Sequence, residues 1–120
     1  MIPPDLDEFW AEPRLATLGT VRPDGSPHLV PVKAMRQDEA FWVLTRRDSV
    51  KVRNVLATGR ASLAEHTRTT WVSVEGKARI RYDADLLAAA RTAYERRHGN
   101  PSTWGDCVLV VEVDRVLHGS

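Results

Sequence analysis

Apolar and polar positions along the chain fall mostly into short stretches of period two, separated by turn residues, with two stretches of helical period between them. From Arg14 to Arg22, Leu15, Ala16, Leu18 and Val21 are set among Thr17, Gly19 and Thr20, which predicts a half-buried strand. Arg22-Pro23-Asp24-Gly25-Ser26 then supplies a proline preset for a turn and a glycine free to take positive φ, so a hairpin is expected. The return strand runs from His28 to Met35. Pro31 in its middle cannot donate to a ladder, so one side of this strand is expected to be unpaired or to face a ligand. Gln37-Asp38-Glu39 makes another tight turn, and Ala40 to Thr45 is the third strand of an antiparallel meander. Arg60 to Glu65 reads as a short strand and Thr70 to Tyr82 as a long one. In the long strand Val72, Val74, Gly76, Ala78 and Ile80 form the core face. Its other face, Trp71, Ser73, Glu75, Lys77 and Arg79, is polar but opens with a tryptophan, which suits a subunit interface or a pocket wall. The last strand, Cys107 to Leu117, is nearly continuous in Val108, Leu109, Val110 and Val111, as expected of a strand buried on both faces.

The helical stretches lie between these strands. Asp48 to Thr58 carries a stripe of Val52, Val55 and Leu56 and ends at Gly59, a natural C-cap. Asp83 to His98 packs through Leu86, Leu87, Ala90 and Tyr94, with Asp83 and Asp85 at its positive end. Asp5 to Trp10 reads as a short helix, with Asp5 as N-cap and Glu8 completing a capping box, and with Phe9 and Trp10 lying over an edge of the core or forming an exposed aromatic interface. Six strands, two or three helices and mostly hairpin connections predict a mainly β fold, a single domain over residues 1–120. Its natural form is a six-stranded antiparallel split β-barrel with short helices plugging its ends. A barrel this small has little room inside for a ligand, so a site shared between two subunits is expected.

Composition narrows the function classes. Hydrophobic residues make up 42% of the chain and charged residues 28%, ordinary for a globular protein. A net charge of +1 gives no global case for nucleic acid or membrane binding, so any electrostatic role is local. Cys107, the one cysteine, excludes an intrachain disulfide and any CxxC motif, and is read as a small core residue. The four histidines are too scattered to read as a metal cluster, and no GxGxxG, P-loop or HExxH motif is present. The start, Met1-Ile2-Pro3-Pro4-Asp5, does not open like a secretory signal, and no apolar run reaches transmembrane length, so a cytoplasmic protein is expected. His28 is read as a strand residue near the turn, and Glu75 as a partner for Lys77, Arg79 or a base of a second chain.

The local charge that stands out is in Thr45 to Leu56. Arg46, Arg47, Lys51 and Arg53 crowd the start of a helix, where the partial positive charge of the helix dipole favours acids. Asp48 is the one acid among them and a candidate N-cap. Two readings stand: a solvated charge run, or an anion site in which backbone N–H groups and cations await a phosphate. Helical geometry puts Lys51 and Asn54 on one face and Arg53 on the far side of the apolar stripe.

Four segments in order carry a resemblance: RLATLGTVRPDGSPHLVPV, FWVLTRRDSVKVRNVLATGRASL, WVSVEGKARI and VLVVEVDRVLHG. From Leu15 to Gly119 the chain resembles the split β-barrel flavin and deazaflavin oxidoreductases, the pyridoxamine 5′-phosphate oxidase-like proteins. Within them it is most similar to the branch that uses the deazaflavin F420, which includes biliverdin reductases. The resemblance implies a homodimer with two cofactor sites at its interface. It places the cofactor phosphate at Thr45, Arg47, Lys51, Arg53 and Asn54, and the ring against Leu29, Val30, Pro31, Val32 and Lys33. It also brings Trp71 from the partner subunit. The implied activity is hydride transfer from reduced F420 to a small organic acceptor, with no side chain required as an acid or base. An FMN-dependent reductase or oxidase, or a non-catalytic flavin- or deazaflavin-binding protein, are the alternatives. Family members that oxidise pyridoxamine phosphate carry a longer C-terminal segment with basic residues, so that activity is not expected of a sequence ending at Ser120.

Overall fold

The computed structural model describes residues 2–120. Its strands are β1 (Ala16–Val21), β2 (Pro27–Val32), β3 (Ala34–Gln37), β4 (Ala40–Thr45), β5 (Arg60–His66), β6 (Trp71–Arg81) and β7 (Cys107–Gly119). Helix α1 (Val50–Thr58) links β4 to β5, and α2 (Ala84–His98) links β6 to β7. All seven strands form one antiparallel sheet in the order β2-β1-β5-β6-β7-β4-β3.

The strand count is seven, where six were expected, because the stretch predicted as one strand from His28 to Met35 turns a corner at Lys33. Its first half pairs with β1, through Ala16 opposite Val32, and its second half with β4, through Ala34 opposite Val43. The two edges of the sheet are therefore neighbours in sequence, and the sheet curls back on itself into a split barrel. The corner has a packing cause. Val32 and Ala34 are buried in the barrel interior, whereas Met35 is buried on the opposite face, under α2. A strand with apolar partners on both faces loses simple alternation. Proline at position 31 fits because β2 is an edge strand, with one side free of ladder partners.

Two cores result. The barrel interior holds Leu18, Phe41, Val43, Leu63, Val72, Val74, Leu109 and Val111, with Val52 and Val55 of α1 closing one side. The second core lies between α2 and the outer face of β3, β4 and β7, around Met35, Leu44, Ala90, Ala93, Val108 and Val110. Consecutive residues of β7 thus serve different cores, which accounts for its uninterrupted apolar run.

The N-terminal helix is a 3-10 helix, Pro4–Trp10, that drops Leu6 and Trp10 into the barrel core, with Trp10 edge-on to Phe41 at 5.3 Å. The expected capping box does not form. Pro3 holds the N-cap position, Pro4 starts the helix, and no side chain caps it. Helix α2 is held at its far end by charge. Arg97 donates to both oxygens of buried Glu65, at 2.7 and 3.0 Å, and to the carbonyls of Ala34 and Glu12. Glu65, 3% exposed, also faces Arg14. At a bulge between β6 and β7, Gly76 lies so close to the β7 backbone that a Cβ there would sit 1.8 Å from the Glu112 carbonyl oxygen. Among the described residues, no helix is long and apolar enough to cross a membrane.

Candidate functional site

The geometry of the site begins with how α1 seats itself. Its buried arc is rotated from the stripe expected: Leu56 is 63% exposed, and Asn54, 2% exposed, is buried in its stead. Asn54 can be buried because its Nδ2 donates to Thr20 Oγ1 of β1 at 3.0 Å. The rotation carries Lys51, one turn back, halfway into the protein. The N-cap is Ser49 and not Asp48. Asp48 pairs instead with Arg46 at 3.6 Å, in solvent. Ser49 has the extended backbone of an N-cap and accepts from Arg53 N, but no side chain caps the helix. The first-turn N–H groups are left without the usual side-chain oxygen.

Two grooves flank this first turn. One, a cleft of about 220 Å³, is walled by Pro31, Val32 and Lys33 at the end of β2, Leu44 of β4, Lys51 of α1, Leu15 before β1, and Trp104 of the loop before β7. The other, about 260 Å³, lies under the β1–β2 hairpin against Arg22, Pro23, Val50, Arg53 and Asn54. The residues expected to share one phosphate are thus divided. Pro31, Val32, Lys33 and Lys51 converge on the first groove. Arg53 and Asn54 line the second, and the side chain of Asn54 is engaged with Thr20.

Thr45 lies beneath the site, wholly buried. Its hydroxyl is 3.4 Å from that of Ser49, and its carbonyl accepts from Asp106 N. Arg47 turns away from the cleft: its backbone N–H donates to Asp106 Oδ1 at 2.8 Å, its guanidinium pairs with the same carboxylate, and it stacks over Tyr82. Val30 points inward against the core, and Leu29 stands 68% exposed on the outer face of the sheet. Trp71 lines neither groove. It stands exposed at the start of β6, between His66 and Gly119 in the ladder.

The electrostatics of the first cleft are one-sided. Its lining carries two ammonium groups, Lys33 and Lys51, and no carboxylate. Lys33 extends over the ring of Tyr94. Lys51 has no ion-pair or hydrogen-bond partner among the described residues, and burial pulls its pKa below the ordinary lysine value. Nearby Cys107 offers no fixed charge. Burial first, then the neighbouring Asp106, push its thiol up to about 11. A half-buried cation without a counter-charge, beside an uncapped helix N-terminus, fits an anionic group such as a cofactor phosphate. The apolar walls of Leu15, Pro31, Val32, Leu44 and Trp104 fit a ring. Leu15, Leu44 and Trp104 were not predicted as site residues. Trp104, in a loop between Pro101 and Gly105, was the legible signal among them, since a large aromatic in a turn segment has no core to fill.

The outer face of the sheet carries a second arrangement. In register, Pro31, Thr17, Ala64, Ser73 and Leu117 form one row across β2, β1, β5, β6 and β7, next to a row that begins with Leu29, Gly19 and Ser62. Leu15, Leu29, Trp71 and Leu117 are exposed there among small residues. No group of three or more His, Cys, Asp or Glu side chains able to hold a metal ion occurs among the described residues.

Comparison with known proteins gives this geometry a context. A relative described as F420H(2)-dependent biliverdin reductase, from Mycobacterium tuberculosis (strain CDC 1551 / Oshkosh), is 33% identical over 116 residues, covering 94% of this chain and 85% of the relative. The crystal structure of the conserved hypothetical protein Rv2991 from Mycobacterium tuberculosis superposes with a TM-score of 0.85 at 24% identity, covering 99% of this chain and 84% of the other. A structure titled F420 reductase superposes with a TM-score of 0.76 at 19% identity, covering 97% and 98%. At those identities the two structures speak for the fold. The family model described as pyridoxamine 5′-phosphate oxidase matches residues 2–117, nearly the whole of the curled sheet and both helices. With that match and a relative one-third identical along almost its full length, the chain belongs to the pyridoxamine 5′-phosphate oxidase family.

Proposed function

We propose that the protein is an oxidoreductase that binds reduced F420 where two copies of the chain meet, and passes a hydride from it to a small organic acceptor. The observation that carries this reading is Lys51, a half-buried ammonium with no acid partner, at the mouth of an apolar cleft. The relative named as an F420H(2)-dependent biliverdin reductase supports the choice of cofactor. Bound in the cleft, the deazaflavin ring would supply the hydride. Lys51 and the α1 N-terminus would hold its anionic part, and Ser49, whose hydroxyl is not spent on capping, would add a donor. Val32, Leu44 and Leu15 would exclude water from the ring, and Pro31 lets the β2 backbone approach it without a ladder partner. No carboxylate, imidazole or thiol is among the residues lining the cleft, so the proton of the product would come from solvent or from the ammonium groups of Lys33 and Lys51. This suits hydride transfer, in which the protein chiefly positions the ring and excludes water.

The second copy belongs on the outer face of β2, β1, β5, β6 and β7, where Leu29, Trp71 and Leu117 are exposed in the single chain. Trp71 would then reach a cofactor across the interface. Leu29→Asp, which puts a carboxylate on that face, is expected to shift the protein to a monomer in sedimentation analysis. Retention of a dimer would place the interface elsewhere.

Titrating the purified protein separately with FMN and F420, and following ligand fluorescence, tests the cofactor. F420 is expected to bind the tighter of the two. A preference for FMN would replace the deazaflavin by a flavin, and binding no tighter than about millimolar for both would remove the reading. Turnover is then tested with reduced F420 and acceptors such as biliverdin or quinones. Binding without oxidation of the cofactor by any of them would leave a cofactor-binding protein in place of an enzyme.

A further inference from the structure

We infer that Trp104 is the stacking platform of the Lys51 cleft, and that the fixed loop carrying it makes the cleft prefer flat, conjugated anions to small ones. The inference rests on the reading of this cleft as the ligand site.

The molecule has four tryptophans, and three of them have neighbours for their rings. Trp10 packs edge-on to Phe9 and Phe41, Trp42 packs against the α2 core, and the ring of Trp71 lies against Gly119. Trp104 is 53% exposed, and its indole has no hydrogen bond, aromatic partner or cation among the described residues. Even Lys33, which lines the same cleft, is turned to Tyr94. An indole with an open face, in a cleft whose free cation is Lys51, has both its apolar surface and its π-face available.

Such an exposed ring on a mobile loop would cost ordering entropy on binding. This loop is fixed close to the ring. Gly105 takes φ 91° and lies so near Thr45 that a Cβ there would be 3.0 Å from the Thr45 carbonyl oxygen. Asp106 N donates to that same carbonyl at 2.9 Å. Asp106 Oδ1 accepts from Arg47 N at 2.8 Å, and the Arg91 guanidinium donates to Gly105 O at 3.0 Å. Thr45 and Arg47 are also the residues that lead into α1 and so place Lys51. One piece of backbone therefore sets both the cation and the ring platform. A ligand carrying an anionic group and a flat ring at the matching separation meets both, whereas a small anion without a ring meets Lys51 alone.

Binding of FMN, F420 and inorganic phosphate to wild type, Trp104→Leu, Trp104→Phe and Lys51→Ala tests this. Trp104→Leu is expected to weaken both ring-bearing ligands by about tenfold and leave phosphate affinity unchanged, because stacking is lost and the cation is kept. Trp104→Phe, which keeps a π-face, is expected to stay within about threefold of wild type. Lys51→Ala is expected to weaken all three. Wild-type affinity of Trp104→Leu for both ring ligands, with Lys51→Ala weakened, would overturn the role of Trp104 and leave the cleft as the site. Equal weakening of phosphate and ring ligands by Trp104→Leu would mean that the loop collapsed, and would also overturn it. If neither Lys51→Ala nor Trp104→Leu changes any affinity, the site reading itself fails, and this inference with it.

Discussion

Lys51→Met separates binding from folding, because the two effects have opposite signs. In the protein without ligand the Lys51 ammonium is half-buried and has no acid partner, so folding disfavours its charged form. Methionine keeps the stem and its packing and removes the charge. The variant is therefore expected to melt higher than wild type near neutral pH. The pH dependence follows from the same displacement. The folded-state pKa lies below the 10.5 of a free lysine, so the cost is present in full below the folded value. It is relieved as pH rises through that value towards 10.5. Cys107 acts the other way: its thiol, raised to about 11, contributes stability below 9.0 that is lost as pH climbs towards 11. The Lys51 charge also lowers this thiol, so the difference between wild type and Lys51→Met at each pH reads the lysine together with its coupling to Cys107. Without the lysine the thiol rises further, so both effects make that difference shrink in the alkaline range. Ligand reverses the order. A charge-assisted bond to phosphate contributes about 1.5–3 kcal/mol, so its loss should weaken cofactor binding by about ten- to a hundredfold. A cofactor present at about a hundred times its wild-type Kd stabilises wild type by about 2.7 kcal/mol, and the same concentration should stabilise the variant by only about 0.4–1.4 kcal/mol. Thermal melts with and without F420, over a pH series, read both effects. A variant that melts lower than wild type and keeps wild-type affinity would show that Lys51 serves the fold, and would refute the electrostatic argument.

The remaining expectations concern the scaffold. Glu65→Ala leaves Arg97, whose side chain is 9% exposed, without its carboxylate and should cost about 3–5 kcal/mol in denaturant unfolding; a loss below about 1 kcal/mol would mean that the carbonyls of Ala34 and Glu12 suffice for the guanidinium. Gly76→Ala pushes a methyl into the β7 backbone at Glu112 and Val113, which cannot give way like a side chain, and should destabilise by at least about 2 kcal/mol; an unchanged unfolding midpoint would show that the bulge can relax. Cys107 should resist a disulfide-exchange reagent in the folded protein near neutral pH and react at once in denaturant, since its thiol is buried and raised to about 11; rapid labelling of the native protein would contradict its place in the core.

Local pattern and tertiary arrangement divided the work in a definite way. Period-two alternation in Trp71–Arg81, the turn at Arg22–Ser26 and glycine at position 59 are local signals, and the strand, hairpin and left-handed C-cap they specify are all present. Their physical basis lies within a few residues, so one sequence suffices to read them. The corner at Lys33 is different. It follows from Met35 being buried by α2, an element some fifty residues further on, and nothing near Lys33 records that contact. Asn54 is a similar case: buried in place of Leu56, it depends on Thr20 being across the barrel to accept its hydrogen bond. The excess of cations before α1 was visible in the sequence, since charge is a property of composition. Which of them faces the cleft was decided by the fold: Asp106, some sixty positions away, takes Arg47, Arg53 stays exposed on the other side of α1, and Lys51 is left half-buried without an acid. The sequence by itself thus determined the elements and the presence of a basic helix start. Only the tertiary structure, by bringing distant partners together, decided which cation, which strand end and which tryptophan make one cleft.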